Sequence, residues 1–326
     1  MDHPTLIVTE NGPELVRTTQ EHAGQGDTLI ELSHSSVNYK DAMALGNRGV
    51  LRSLPLVPGI DAVGTVVESP SLQEGTLVTV NGFGIGESRH GGYTPRMRID
   101  AKWVTVVPPL FDAPTAAALG TAGYTAALCV AGVERALYPL DVLETHERGP
   151  ILVTGATGGV GSIAVQLLTR RGFEVHAVTG RVEEHGQWLR SLGATEVVDR
   201  ADFSKPGEPL QDETYAGLVD TLGSVPLANA LSRLQWGAPA AACGRAAGND
   251  LPASVLPFIL RGVQLVGTNS VTTPHALRDE AWQLLAQSLD TGKLHDSVRT
   301  VALDGVVEVG RQLLNGSGHG RSVVEL

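Results

Sequence analysis

"ILVTGATGGVGSIAVQLLTRRG", Ile151 to Gly172, joins a strand, a glycine turn and an amphipathic helix. Ile151, Leu152 and Val153 read as a short buried strand, and Val160, Ile163, Ala164, Leu167 and Leu168 follow the helical period. Between them the G-x-G-x-x-G pattern appears as Ala156-Thr157-Gly158-Gly159-Val160-Gly161, with alanine in the first glycine place and Gly155 just before it. At the start of a helix such a turn lets backbone approach a pyrophosphate at Gly158 and lets helix pack on strand at Gly161. The helix N-terminus adds N–H groups and positive dipole. A dinucleotide site over Thr157, Gly158, Gly159 and Val160 is the expectation.

Downstream the texture alternates: "FEVHAVTG", "EHGQWLRSLG", "TEVVDR", "GLVDTLG", "NALSRLQWG", "APAAACG" and "VQLVGT". Alternating strand and helix argues for a parallel, doubly wound α/β sheet. The second strand of such a sheet commonly closes on an acid that holds the ribose 2′-hydroxyl of NAD, whereas a 2′-phosphate calls for arginine. Here the strand closes on Val178-Thr179-Gly180-Arg181. NADPH is the expected cofactor, with Thr179 and the Gly180 backbone bonding the phosphate and Arg181 pairing with it.

Upstream, residues 1 to about 110 are β-rich: "TLIVTE", "DTLIELSHS", "AVGTVVES", "GTLVTVNG" and "WVTVVPP" alternate with Gly and Pro punctuation. From Asp112 a helix is expected, with Pro114 in its first turn and "GTAGYTA" (Gly120 to Ala126) as a glycine kink. The last segment holds a helical "HALRDEAWQLLAQSLDTG" and strand-like "SVRTVAL" and "GRSVVEL", which read as a return to the first domain. With 326 residues and 42% apolar content, two domains are expected. A net charge of -11 argues against nucleic acid as a partner. Cys129 and Cys243 are too few and too far apart in sequence for a disulfide framework. Neither a signal peptide nor about 20 uninterrupted apolar residues is read, so a soluble cytoplasmic protein without a membrane partner is expected.

The turn also fits T-G-x-x-x-G-x-G, as in short-chain dehydrogenases, but none of Tyr39, Tyr93, Tyr124, Tyr138 and Tyr215 has the lysine four residues on that their chemistry uses. Instead "SSVNYKDA" (Ser35 to Ala42), "PGIDAVGTV" (Pro58 to Val66), "GTAGYTA", "VTGATGGVG" (Val153 to Gly161), "VTGR", "LGAT" (Leu192 to Thr195), "VDTLG" (Val219 to Gly223) and "PFILRGVQLVG" (Pro257 to Gly267) run in order along nearly the whole chain. They resemble the medium-chain dehydrogenase/reductase superfamily, its zinc-independent quinone-oxidoreductase branch, and within that the NADPH-dependent acrylyl-CoA reductases. The resemblance implies a β-rich GroES-like catalytic domain over residues 1–118, a Rossmann NADP-binding domain over 119–268 and a C-terminal return over 269–326. Where the superfamily's zinc enzymes carry an early cysteine and Gly-His-Glu, this chain has Asn38-Tyr39-Lys40-Asp41 and Gly59-Ile60-Asp61, so no metal is expected. His34, His90 and His146 lack ligand spacing and are expected to be structural or surface residues.

By resemblance, "NYKD" lies beside the nicotinamide: Tyr39 bonds the cofactor or carries a proton, and Asn38 and Asp41 shape the site. Thr125 is a candidate carboxamide partner, and Ser270 and Arg321 are further cofactor-side candidates. The chemistry implied is hydride addition to an activated double bond, with the protein orienting substrate and stabilising the oxyanion. The small-molecule substrate is a short enoyl-CoA such as acrylyl-CoA, or a quinone or other α,β-unsaturated carbonyl; an NADPH-binding protein without turnover is the reading from another class. Arg48, Arg52, Arg89 and Arg96 are candidate cations for CoA phosphates, each a solvated surface residue by default. His90 stands where the relatives' pattern has an aromatic. A homodimer through the edge strand at "VQLVGTNSV" is implied.

Overall fold

A computed structural model describes residues 4–142 and 149–326. The first stretch contains β1 (Pro4–Thr9), β2 (Gly12–Arg17), β3 (Thr28–Ser36), α1 (Tyr39–Leu45), β4 (Asp61–Glu68), β5 (Leu77–Asn81), β6 (Arg96–Ile99), β7 (Thr105–Val106) and α2 (Ala113–Val142). Then come β8 (Ile151–Val153), α3 (Gly159–Arg170), β9 (Val175–Thr179), α4 (Val182–Leu192), β10 (Glu196–Asp199), β11 (Gly217–Asp220), α5 (Ser224–Ser232), β12 (Pro239–Ala242), α6 (Leu256–Arg261) and β13 (Gln264–Gly267). The chain closes with α7 (His275–Ser288), α8 (Thr291–His295), β14 (Val298–Ala302), α9 (Val306–Leu314) and β15 (Arg321–Glu325). Two compact units result: Met1–Ala122 with Ser270–Trp282 and Thr291–Leu326, and Gly123–Asn269 with Gln283–Asp290.

In the first unit the sheet runs β14-β15-β3-β4-β5-β7, with β6 also pairing β3 and β1-β2 forming a separate hairpin. Val323 and Val324 of β15 pair antiparallel with Ser36 and Ser35 of β3, so the C-terminal segment is stitched into this sheet. One apolar cluster joins Ile30, Leu32, Val66, Val78 and Met97; another joins Leu6, Val37, Tyr93, Val306, Val309 and Val324. β2, β6 and α9 have no counterpart among the segments read from sequence. Val306, Val307 and Val309 give α9 the β-branched look of a strand, and packing of Val306 and Val309 into the core overrides that preference.

The second unit holds the parallel sheet in the order β10-β9-β8-β11-β12-β13, the doubly wound arrangement expected. Its strand direction of travel reverses between β8 and β11, the switch point at whose carboxyl ends ligands bind. Leu152, Val178, Leu218 and Ala240 pack with Phe203, Leu227 and Leu231. Cys129 and Cys243, distant in sequence, are neighbours here and both are free thiols. The hydrogen bond to Cys129 and burial push the Cys243 thiol well above its ordinary value.

The expectation of no run of about 20 uninterrupted apolar residues stands beside one long, mostly apolar helix, α2. By length and composition Ala113–Tyr138 could cross a membrane, and 89% of its apolar window is buried inside the protein.

Candidate functional site

The residues singled out from sequence fall into two groups, one in each unit. In the second unit β8 leads into the glycine turn. Gly155 has φ 60°, and a Cβ there would lie 2.2 Å from Thr221 Oγ1; a Cβ at Gly161 would lie 2.4 Å from the Gly155 carbonyl oxygen. Glycine is thus demanded by the left-handed backbone at one position and by close helix packing at the other. Gly158 caps α3, and the amides of Gly159 and Val160, opening the helix, have no intrahelical acceptor. Gly158 is exposed and Gly159 and Val160 half-buried, so this end of α3 is accessible to an anion.

A buried polar knot fixes the turn, and it was not read from sequence. Thr154 Oγ1 donates to Asp220 Oδ1 at 2.6 Å, Thr221 Oγ1 donates to the Thr154 carbonyl at 2.9 Å, and the Gly223 amide donates to Asp220 Oδ2 at 2.8 Å. Burial raises the Asp220 pKa, and the bonds from Thr154 and Gly223 oppose that rise. The signal lay in "VDTLG", whose Asp-Thr pair sits at the end of a strand beside the glycine turn.

At the end of β9 the Thr179 hydroxyl accepts the Arg181 amide at 3.1 Å, and Arg181 Nη2 donates to Thr157 Oγ1 at 3.5 Å. The sheet therefore brings Arg181 to the glycine turn, as a 2′-phosphate site requires. These observations fit NADPH: glycine-only backbone, an accessible helix N-terminus and a cation where a hydroxyl-binding acid is absent. Thr125 lies in α2 and is buried.

In the first unit Asn38 precedes α1 and Tyr39 is its first residue. The Tyr39 side chain is 44% exposed, whereas Asn38 and Asp41 are buried. Asp41 accepts the Asn38 amide at 2.8 Å, Asn38 Nδ2 at 3.1 Å and the Ile60 amide at 2.8 Å. Burial and the neighbouring Asp61 carboxylate push Asp41 up to about 7, against those three hydrogen bonds, which hold it down.

Asp61 is the hub of this cluster. Its carboxylate accepts from Ser36 Oγ at 2.5 Å and from Asn38 Nδ2, Asn81 Nδ2, the Thr121 amide and Thr121 Oγ1 at 2.7 Å each. Arg321, also buried, donates Nε to the Ala118 carbonyl at 2.6 Å, Nη1 to Asn38 Oδ1 at 3.1 Å and Nη2 to Ser36 Oγ at 2.9 Å, and it lies 3.9 Å from Asp61. Burial pushes the Arg321 pKa down and the Asp61 and Asp41 carboxylates pull it back up. Where Gly-His-Glu stands in the zinc enzymes, Asp61 here is committed to hydrogen bonds. Among the described residues no group of three or more His, Cys, Asp or Glu is placed to hold a metal.

The remaining candidates are dispersed. Ser270 is half-buried, its carbonyl accepting Arg278 Nη2 at 3.4 Å. His90 Nδ1 accepts the Val57 amide at 3.0 Å, a structural bond, and burial lowers its pKa; burial likewise lowers that of His34, whose Nδ1 is 2.9 Å from Ser33 Oγ. His146 lies outside the described residues. Arg52 is 3.8 Å from Glu87, Arg96 is 4.0 Å from Glu31, and Arg89 donates to the Phe83 carbonyl and stacks on Trp103 at 4.6 Å; Arg48 is exposed.

Residues 24–131 match the alcohol dehydrogenase GroES-like domain model, and residues 159–287 match the zinc-binding dehydrogenase model. The chain is 40% identical over 327 residues to the probable acrylyl-CoA reductase AcuI of Escherichia coli K12, covering 98% of each. It is 39% identical over 305 residues to the putative quinone oxidoreductase YhfP of Bacillus subtilis, covering 91% of this chain and 90% of that one. The structure of the yhdH oxidoreductase from Salmonella enterica in complex with NADP superposes with a TM-score of 0.93 at 36% identity, covering 100% of both chains. Zinc in the matched model's name has no counterpart in the residues at Asn38 and Asp61. With both domain models matched in order and relatives aligned along nearly its full length, the chain belongs to the medium-chain dehydrogenase/reductase superfamily, in its quinone-oxidoreductase-like branch.

Proposed function

We propose that this protein reduces an activated carbon–carbon double bond with NADPH, and that its substrate is a short enoyl-CoA such as acrylyl-CoA. The observation that carries the cofactor reading is Arg181, a cation at the end of β9 whose guanidinium reaches Thr157 of the glycine turn. The name of the relative at 40% identity supports the thioester substrate. NADPH, when bound, supplies the hydride for the β carbon. Thr157, Gly158, Gly159 and Val160 would hold its pyrophosphate, and Thr179, Gly180 and Arg181 its 2′-phosphate. Thr125 and Ser270 are proposed as further cofactor contacts.

Reduction leaves charge on the thioester oxygen and requires a proton at the α carbon. The hydroxyl of Tyr39, an exposed residue at the start of α1, is the proposed cofactor contact or proton carrier. Asn38 and Asp41 set the start of that helix. Arg321, whose donors go to Ala118, Asn38 and Ser36, is proposed as the residue that positions Asn38 in place of the direct cofactor contact suggested by sequence. A cytoplasmic homodimer paired through β13 completes the proposal.

The test is NADPH oxidation against acrylyl-CoA, crotonyl-CoA and a quinone, followed by absorbance. Turnover favouring acrylyl-CoA supports the proposal. Turnover confined to the quinone selects the second reading, which the likeness to a putative quinone oxidoreductase favours. Tight NADPH binding with no turnover on any substrate would sink both.

A further inference from the structure

The loop after β5 holds an aromatic residue in a conformation that a bulky side chain rarely adopts. Phe83 has φ 51°, between Gly82 (φ 79°) and Gly84 (φ 83°). Left-handed backbone is strained for a side chain of this size and persists only where the surroundings fix it. Here they do. The Phe83 amide donates to the Val271 carbonyl at 3.0 Å, Arg89 Nε donates to the Phe83 carbonyl at 3.2 Å, and a Cβ at Gly82 would lie 2.5 Å from that same Val271 oxygen.

The strained turn sets up a row of flat groups. The Phe83 ring stacks on Trp103, with centroids 5.5 Å and planes 12° apart, and on His275 at 6.1 Å and 22°. Cations lie over the same rings: Arg89 is 4.6 Å and Lys102 5.0 Å from the centre of Trp103, and the buried Arg278 is 4.7 Å from that of Phe83. Phe83 and Trp103 are half-buried, whereas Arg89, Lys102 and His275 are exposed, so the row is anchored inside and wet at its rim. Arg89 uses Nε on the loop, and among the described residues no carboxylate pairs with it. Lys102 pairs with Asp100 at 3.1 Å, an exposed contact that water screens and that exchanges easily. The Lys40–Glu87 ion pair joins this loop to α1, and Asn81, two residues before Phe83, holds Asp61. The row therefore belongs to the unit that carries Tyr39.

We propose that this row receives the nucleotide end of a CoA thioester, with adenine stacking on Arg89 and Trp103 and with the phosphates pairing with Arg89 and Lys102. The inference rests on the enoyl-CoA reading above and names the subsite that sets such a substrate apart from a quinone, which has neither purine nor phosphate. Stacked rings accept a purine face without reading its edges. A guanidinium can stack through its plane while it donates to phosphate oxygens through its edge, and an ammonium adds a point charge. In a chain of net charge -11, two cations held against one indole make a local anion site. Backbone strain gathers at ligand clamps of this kind, where it fixes a side chain before the ligand arrives.

The test uses probes that carry or lack that end. With the cofactor site filled by saturating NADP, 3′,5′-ADP, the nucleotide end of CoA, should bind in calorimetry. Arg89→Ala and Trp103→Leu should each weaken it by roughly ten- to a hundredfold, the range of one stacked base or one charge-assisted contact, and Arg89→Lys should recover part of the loss. In turnover, the ratio of kcat/KM for acrylyl-CoA to that for acrylyl-pantetheine, which lacks the nucleotide, should fall by a similar factor in Arg89→Ala and Trp103→Leu. A wild type that reduces both thioesters equally well overturns the subsite and leaves the enoyl-thioester reading standing. No turnover of either thioester, with 3′,5′-ADP still bound and weakened by the variants, sinks that reading and leaves the subsite. If 2′,5′-ADP, the matching end of NADPH, binds the filled enzyme as tightly and loses as much in the variants, the assignment to CoA is overturned. Absence of 3′,5′-ADP binding, or equal loss of both thioesters in the variants, would mark the row as structural and overturn it as well.

Discussion

Asp41 is a buried carboxyl whose pKa is raised on folding to about 7, so its linkage to stability has a definite sign. Between the ordinary value of 3.8 and the folded value, the native state holds a proton that the unfolded chain has released. Stability therefore falls as pH rises through that window, by up to about 4 kcal/mol if the whole shift is expressed. Urea unfolding at pH 5 and pH 7.5 should show this decline in the wild type and a flatter profile in Asp41→Asn; the same slope in both would refute the assignment. Arg321→Met is expected to cost about 3–5 kcal/mol, because it leaves the buried Asp61 carboxylate without its counter-charge. Side-chain roles of this kind were only half legible. "NYKD" announced a site, but nothing local in the sequence joins Asn38 to Arg321, which meet because β15 pairs with β3.

Elements were more legible where a pattern is local. The strand, glycine turn and helix at Ile151 to Gly172 were readable because each obeys its own period, whereas α9 hid behind three valines. α2 shows both what a glycine in a helix can mean and what cannot be read from it. At Gly120 the backbone is non-helical (φ 45°), and a Cβ would stand 2.4 Å from Asp61 Oδ2, so Gly120→Ala should lose at least about 2 kcal/mol in thermal or urea unfolding. At Gly132, later in the same helix, a Cβ meets nothing within 4 Å. Gly132→Ala should gain about 0.5–1 kcal/mol, since alanine loses less freedom on becoming helical. Equal effects from the two substitutions would mean that Gly120 is not the tight joint its geometry describes. Sequence placed a kink in this stretch; only the approach of Asp61 says which glycine is irreplaceable.

For the whole molecule, the parallel sheet could be foreseen from alternation, and its strand order follows from the doubly wound rule, while its edge at "VQLVGTNSV" came only with the family resemblance. β13 pairs with β12 and, among the described residues, with no strand on its other side. An open edge of unpaired amides and carbonyls recruits another strand unless it is blunted. No charge blunts this one: β13 reads Gln264-Leu265-Val266-Gly267, and Val255, Ile259, Leu260 and Val266 are all exposed. Apolar side chains gathered in sequence around an open edge argue for burial against a second copy, since isologous pairing lets the same strand serve both subunits. Val266→Lys, combined with Ile259→Glu, places charge on that face without touching the glycine turn or the Asp61 cluster. Light scattering should then give about twice the chain mass of 34.2 kDa for the wild type and the single-chain mass for the variant, with NADPH affinity retained. A wild type that sediments as a monomer at all concentrations would remove β13 as an interface. A variant that stays dimeric would move the interface elsewhere on the surface.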